Sequence, residues 1–214
     1  MHVSRKQSGF TLVEIAIVLV IIGLLLGGVL KGQELINSAK VKNFAQDFKT
    51  VPLYIYGYQD KYKRLPGDDN GAVARFAPAA TTNGNGLGSI DGVFNSVTVA
   101  DESLRFWQHV RLANLAAGST DFTDLTSAAL PTNADGGRIG IQMTTPITDM
   151  TGSYFVCSMG IQGKFAKQLD TTLDDGNTAI GSLRVANIPQ PWTVAVAAEP
   201  APVDGTTYTV CISF

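Results

Sequence analysis

Gly9-Phe10-Thr11-Leu12-Val13-Glu14-Ile15-Ala16-Ile17-Val18-Leu19-Val20-Ile21-Ile22-Gly23-Leu24-Leu25-Leu26-Gly27-Gly28-Val29-Leu30 contains one charged residue, Glu14. As an α-helix, the stretch from Phe10 to Leu30 is about 31 Å long, the thickness of a hydrocarbon core. The run therefore reads as a helix able to cross a membrane. Residues 1–9 carry Arg5 and Lys6 and no acid, which favours a cytoplasmic N-terminus; Lys31, Lys40 and Lys42, after the run, weigh the other way. A secretory signal would end in a small-residue A-x-A site, and Gly27-Gly28-Val29-Leu30-Lys31-Gly32-Gln33-Glu34 supplies none, so the helix is expected to stay on the protein. Glu14 costs several kcal/mol in lipid unless it finds a partner, which marks it as a functional residue. The alternative is an interfacial glutamate that snorkels to the headgroups.

Composition points the same way. The chain has 214 residues, 45% of them apolar and only 16% charged, against roughly a quarter charged in an average soluble protein. Part of it is therefore expected to sit away from bulk water or against other subunits. A formal charge of −2 gives no chain-wide reason to bind nucleic acid, and none is expected as a partner. Two histidines and two cysteines could build a four-ligand zinc site only if all four converged, and their positions argue against it. No metal and no cofactor is expected.

Gly9-Phe10-Thr11-Leu12-Val13-Glu14 resembles the class III signal of type IV pilins and of the related pseudopilins of type II secretion. The resemblance implies that a prepilin peptidase cuts between Gly9 and Phe10, that Phe10 is N-methylated, and that Glu14 is the assembly residue. It also implies an inner-membrane assembly platform with ATP-driven machinery, other copies of the chain in a helical filament, and a final location in an extracellular pilus or a periplasmic pseudopilus. The physical logic is that the new amine on Phe10 of one subunit neutralises Glu14 of a neighbour, so buried charges pair only when helices stack in register. Removing residues 1–9 takes away two basic residues, leaving 14 against 18 acids and a charge of −4; His109 is then the sole histidine. The expected organisation is a leader at 1–9, a transmembrane and filament-core half-helix at 10–31, and a head at 32–214 that includes the rest of the helix.

Beyond Leu30, apolar residues at three- to four-residue spacing (Leu35, Ile36, Ala39, Phe44, Phe48, Val51) predict that one helix runs from 10 to about 62. Gly23, Gly27, Gly28 and Gly32 each cost it about 1 kcal/mol relative to alanine, and Pro52 removes a ladder bond and predicts a kink or curve. Gly23 and Gly27 also let helices approach closely; by resemblance, the stretch 23–32 could instead melt on assembly, although it lacks the proline many pilins have there. A long surface loop is predicted over 67–99. A second helix follows at 101–118, capped by Asp101, and a third at 161–173, before the turn Asp174-Asp175-Gly176. Strand-forming runs fall at 138–144, 153–160, 192–198 and 208–214. The fold class is α+β: a long N-terminal helix packed on a four-stranded antiparallel sheet, with a long αβ-loop, which is the pilin architecture. Pro66-Gly67-Asp68, Phe106-Trp107-Gln108-His109 and Leu173-Asp174-Asp175-Gly176 resemble segments of one group of pilin-like proteins.

Cys157 and Cys211 fall in predicted strands of a head that resides outside the cytoplasm, where disulfides persist. A bond between them would be worth roughly 4 kcal/mol; two buried thiols are the other possibility. By resemblance, such a bridge favours a pilus subunit over a major pseudopilin. Residues 83–91 resemble the front of a calcium loop, but Leu87 stands where a ligand belongs and Phe94 where the bidentate glutamate belongs, so a glycine-rich turn is the better reading. The same holds for Asp174, Asp175 and Asn177. His109 reads as packed rather than catalytic, and Tyr54, Tyr56, Tyr58 and Tyr62 as core and contact residues. No nucleophile–base set or nucleotide loop stands out, so the chain does not read as an enzyme. Lys164, Lys167 and Arg184 could form a local basic patch, which a DNA-binding minor pilin would need. The reading is a type IV pilus subunit, stored in the membrane after cleavage and polymerised through its helix. The alternatives are a pseudopilin and an uncleaved single-pass binding protein.

Overall fold

The computed structural model describes residues 9–79, 81–189 and 192–214. The chain divides into two units, Met1–Ala39 and Lys40–Phe214. Helix α1 (Leu12–Tyr62) begins in the first and ends in the second. Every residue from Gly9 to Leu30 is exposed, with Phe10 and Leu12 both at 85%. The stretch is long and apolar enough to cross a membrane. It is helical through Gly23, Gly27 and Gly28, and α1 continues as one helix through Pro52.

From Lys40 onward α1 is a packed core helix. Val41, Phe44, Ala45, Phe48, Val51, Pro52, Ile55 and Tyr58 are buried at intervals of one, three or four residues, the spacing of one helical face. The helix stops at Tyr62 because Lys63 turns to φ 56° and Pro66 follows closely. The segment 67–99, expected as a surface loop, holds α2 (Ala72–Phe76) and buries Asp68, Asp69, Ile90 and Phe94. Helix α3 (Glu102–Leu112) ends six residues earlier than expected, with Asn114 at φ 60°. Asp101 sits at its N-cap without a capping bond; its carboxylate instead accepts the Ser96 hydroxyl at 2.5 Å. A short α4 (Leu125–Ala128) follows.

The sheet holds β1 (Ile139–Gln142), β2 (Phe155–Gln162), β3 (Leu183–Ala186) and β4 (Thr207–Ser213) in the antiparallel order β1-β2-β4-β3. Helix α5 (Gly163–Leu173) follows β2 directly. The class and the strand number are as expected, but one strand is not. Residues 192–198 contribute only an isolated bridge, Ile147 to Val196, and the fourth strand is β3. Val185 of β3 gives its N–H to Thr178 and its carbonyl to Glu199, so the outer edge of β3 is already bonded and leaves no slot for 192–198.

Alternation along the strands makes two cores. Ile139, Ile141, Val156, Leu183, Val185, Val210 and Ile212 pack with α1, with Phe106 and Val110 of α3, and with Phe165 and Leu169 of α5. Phe155, Cys157, Ala186 and Cys211 face the other way, under Phe94, Ile147, Met150 and Trp192. This second layer has almost no regular structure. Trp192 is pinned in it by donating its indole N–H to the Pro146 carbonyl at 3.3 Å. The whole is the plan of a type IV pilin, a long N-terminal helix on a four-stranded antiparallel sheet.

Candidate functional site

The first turn of α1 is closed by two residues. The Thr11 N–H and the Thr11 hydroxyl both donate to Glu14 Oε2 at 2.7 Å, and the Glu14 N–H donates back to Thr11 Oγ1 at 3.3 Å. This reciprocal pair is a capping box, which satisfies N–H groups that the start of any helix leaves without partners. It places Gly9 and Phe10 just outside the helix, in chain free of regular structure. It also gives the one charge of the apolar stretch a partner within its own chain. Thr11 was not singled out from sequence, although the T-x-x-E spacing ahead of an apolar run is the signature that finds it.

Residues 4–30 match the family model of the prokaryotic N-terminal methylation motif. The chain carries a type IV prepilin-type signal. No curated protein and no solved structure matches the chain. Prepilin-type signals belong to type IV pilin- and pseudopilin-like proteins, which are structural subunits rather than enzymes. The signal and the apolar helix together support membrane insertion before assembly.

In the unit that begins at Lys40, the loop after α1 is held by a buried polar cluster. Asp69, fully buried, accepts the Tyr58 hydroxyl at 2.7 Å, Arg75 Nε at 2.9 Å and Nη2 at 3.2 Å, and the Gly71 N–H at 2.8 Å. Burial alone would push the Asp69 carboxyl up, but these bonds hold it below its ordinary value. His109 stacks on Tyr58 with ring centroids 6.2 Å apart. Its Nδ1 accepts the Gly67 N–H at 3.0 Å, which leaves the proton on Nε2, 3.3 Å from the Thr82 carbonyl. Gly67 has φ 92°, and a Cβ there would stand 2.5 Å from the Glu102 carbonyl, so only glycine fits. Pro66-Gly67-Asp68 and Phe106-Trp107-Gln108-His109, far apart in sequence, thus meet in one place; Leu173-Asp174-Asp175-Gly176 forms the C-terminal end of α5 and the turn after it.

The carboxylates around 83–91 are engaged by the chain itself. Asp68 takes the N–H groups of Leu87 and Gly88 at 3.0 and 2.8 Å, and Glu102 takes those of Asn85 and Asp91 at 2.7 and 2.9 Å. Asp174 accepts the Leu183 N–H and Asp175 the Asn177 N–H. Both acidic turns are therefore held by backbone donors. Cys157 and Cys211 are direct cross-strand partners of β2 and β4 and form a disulfide, fully buried in the second core. Of the three basic residues considered for DNA, two are engaged by polar partners: Lys167 pairs with Asp204 at 2.6 Å, and Arg184 donates to the Thr148 and Gly181 carbonyls. Of the four tyrosines, Tyr58 is buried, Tyr54 packs edge-on to Trp107, and Tyr56 is exposed.

Proposed function

We propose that this chain is the precursor of a type IV pilus subunit. Residues 1–9 are the leader, cut after Gly9; Phe10 becomes the methylated N-terminus; residues 10–31 hold the subunit in the inner membrane; and 32–214 form the head that covers the filament. The observation that carries the reading is the methylation motif at 4–30 running directly into an exposed apolar half-helix whose continuation packs as the spine of a head. Helices leave lipid for an equally apolar bundle, so packing and the pairing of the Phe10 amine with Glu14 of a neighbour select the filament, not hydrophobic burial alone. Within one chain Thr11 holds Glu14, and assembly exchanges that bond for the ionic one. The disulfide between Cys157 and Cys211 favours a pilus subunit over a pseudopilin, and the role is structural, with no catalysis.

Mass spectrometry of non-reduced protein from sheared surface filaments tests this. A chain starting at methylated Phe10, two mass units light for the disulfide and abundant in the sheared fraction, is the expected result. A processed chain confined to the membrane would favour a pseudopilus. An intact Met1 in the native host would overturn the assignment.

A further inference from the structure

We propose that Asn70, Asn83 and Asn85 are latent sites of self-modification: the native loop after α1 holds all three closed, and each loses its side-chain amide once the loop opens.

Every Asn–Gly pair in the chain lies in this loop, at 70–71, 83–84 and 85–86. Glycine has no side chain to shield its backbone nitrogen, so in an open chain that nitrogen reaches the carboxamide before it. The reaction needs only water and hydroxide. The glycine N–H gives its proton to hydroxide, the nitrogen bonds to Cγ of the asparagine, and the Cγ–Nδ2 bond breaks. Ammonia leaves and a five-membered imide remains. Water then opens either imide carbonyl, giving aspartate or isoaspartate without oxidation or reduction.

All three asparagines are exposed, so burial does not protect their carboxamides. The protection lies on the glycines. The Gly84 N–H donates to the Asp69 carbonyl at 2.9 Å, the Gly86 N–H to the Asp68 carbonyl at 3.1 Å, and the Gly71 N–H to Asp69 Oδ1 at 2.8 Å. A nitrogen held in this way neither gives its proton to hydroxide nor turns toward Cγ. Two of the side chains are fixed as well. Asn83 Oδ1 accepts the Val73 N–H at 2.9 Å; Asn85 Oδ1 accepts the Leu87 N–H at 2.9 Å, and its Nδ2 donates to Asp91 at 2.7 Å.

Packing explains why so labile a sequence is present. A Cβ at position 84 would stand 2.3 Å from the Gly67 carbonyl oxygen, and one at position 86 would stand 2.6 Å from Asn70 Nδ2. The close approach that demands glycine also seals its nitrogen. One event then favours the next, because aspartate at position 85 would face Asp91 with a carboxylate where an N–H donor now stands.

The test incubates the full chain in detergent at mildly alkaline pH, folded and in concentrated urea, and follows each asparagine by peptide mass spectrometry. In urea all three should gain one mass unit. In the folded chain each should do so about tenfold more slowly or slower still, at a rate set by local opening. As urea is raised short of unfolding, these rates should climb together with hydrogen exchange at the Gly71, Gly84 and Gly86 N–H groups, while β4 stays protected. A smaller difference at any of the three, or rates that do not follow the exchange, would overturn the closure. No mass gain in urea would overturn the latent reactivity. Asn85→Asp, with β4 equally protected, should deamidate several-fold faster at Asn83; an unchanged rate there would refute the spread from one site to the next.

Discussion

Nδ1 of His109 accepts the backbone N–H of Gly67 across 42 residues of sequence, at 3.0 Å and out of contact with solvent. The bond ties the core face of α3 to the point where α1 hands over to the loop, and it needs a neutral imidazole.

Burial lowers the His109 pKa from its ordinary 6.5 to about 4. Unfolded chains therefore take up the proton first as pH falls below 6.5, and this group withdraws stability down to about pH 4, by about 3 kcal/mol in all. Asp47 and Asp170, pushed up to about 6 by burial, act in the opposite direction over much of the same range. The acid unfolding curve of the whole protein thus mixes both signs. Nitrogen-15 NMR of residues 10–214, in which His109 is the sole histidine, separates them: the His109 ring should remain the neutral Nε2–H tautomer at pH 5. Ordinary titration near 6.5 would show that the imidazole is not enclosed as described.

Asp69→Asn should be the most damaging single change in the polar cluster. It removes the charge beside Arg75 and turns one of the two acceptor oxygens into an NH2 donor, so Tyr58, Arg75 and the Gly71 N–H are left with a single side-chain acceptor, at a cost of about 3–5 kcal/mol. Tyr58→Phe removes one bond to a charged acceptor and should cost about 2 kcal/mol. Denaturant unfolding of the two singles and the double reads their coupling; strictly additive losses would contradict a shared network.

Replacing Cys157 and Cys211 together by alanine should lower stability by about 4 kcal/mol, since the bond closes a separation of 54 residues. Both sulfurs are buried, so native protein should resist a mild reductant that rapidly reduces the unfolded chain. Thermal unfolding of the variant and thiol labelling over time check the two parts separately.

Gly140→Ala should be poorly tolerated although β1 is an ordinary strand. A Cβ at Gly140 would lie 2.0 Å from the Phe94 carbonyl, and backbone cannot step aside as a side chain end can. A loss of about 3 kcal/mol is expected, with Phe94 displaced from the second core. Near wild-type unfolding would show that the 90–96 segment does not cross β1 this closely.

Thr11→Ala and Glu14→Ala separate helix capping from assembly. The first opens the capping box, costs about 1 kcal/mol at the helix start, and leaves the carboxylate for a neighbour. The second leaves the subunit inserted but should assemble poorly; normal filament levels from Glu14→Ala alone would sink the pairing with the Phe10 amine.

What could be read ahead of the structure followed from local pattern. The apolar run and its basic flank announced α1, strand-forming runs announced β1 and β2, and alternation announced β4. Four-residue β3 has Arg184 near its centre and too little pattern to stand out, whereas Trp192 and its apolar neighbours look like a strand because burial over a sheet and burial within one select the same residues. The Thr11–Glu14 box was legible by spacing alone. The pairings of His109 with Gly67 and of Tyr58 with Asp69 were not, because a single sequence shows which residues can bond but not which distant segments the chain brings together.

The bonded rim of β3, with Val185 closed by Thr178 and Glu199, bears on how such a protein survives crowding. On the other rim, the Ile139 N–H is likewise taken, by the Pro131 carbonyl. Sheets with open rims template one another into cross-β aggregates, and a protein kept at high local density is the most exposed to that failure. With these rim positions filled by its own loops, the head offers a neighbour little to zip onto, and crowded copies can touch without seeding a deposit.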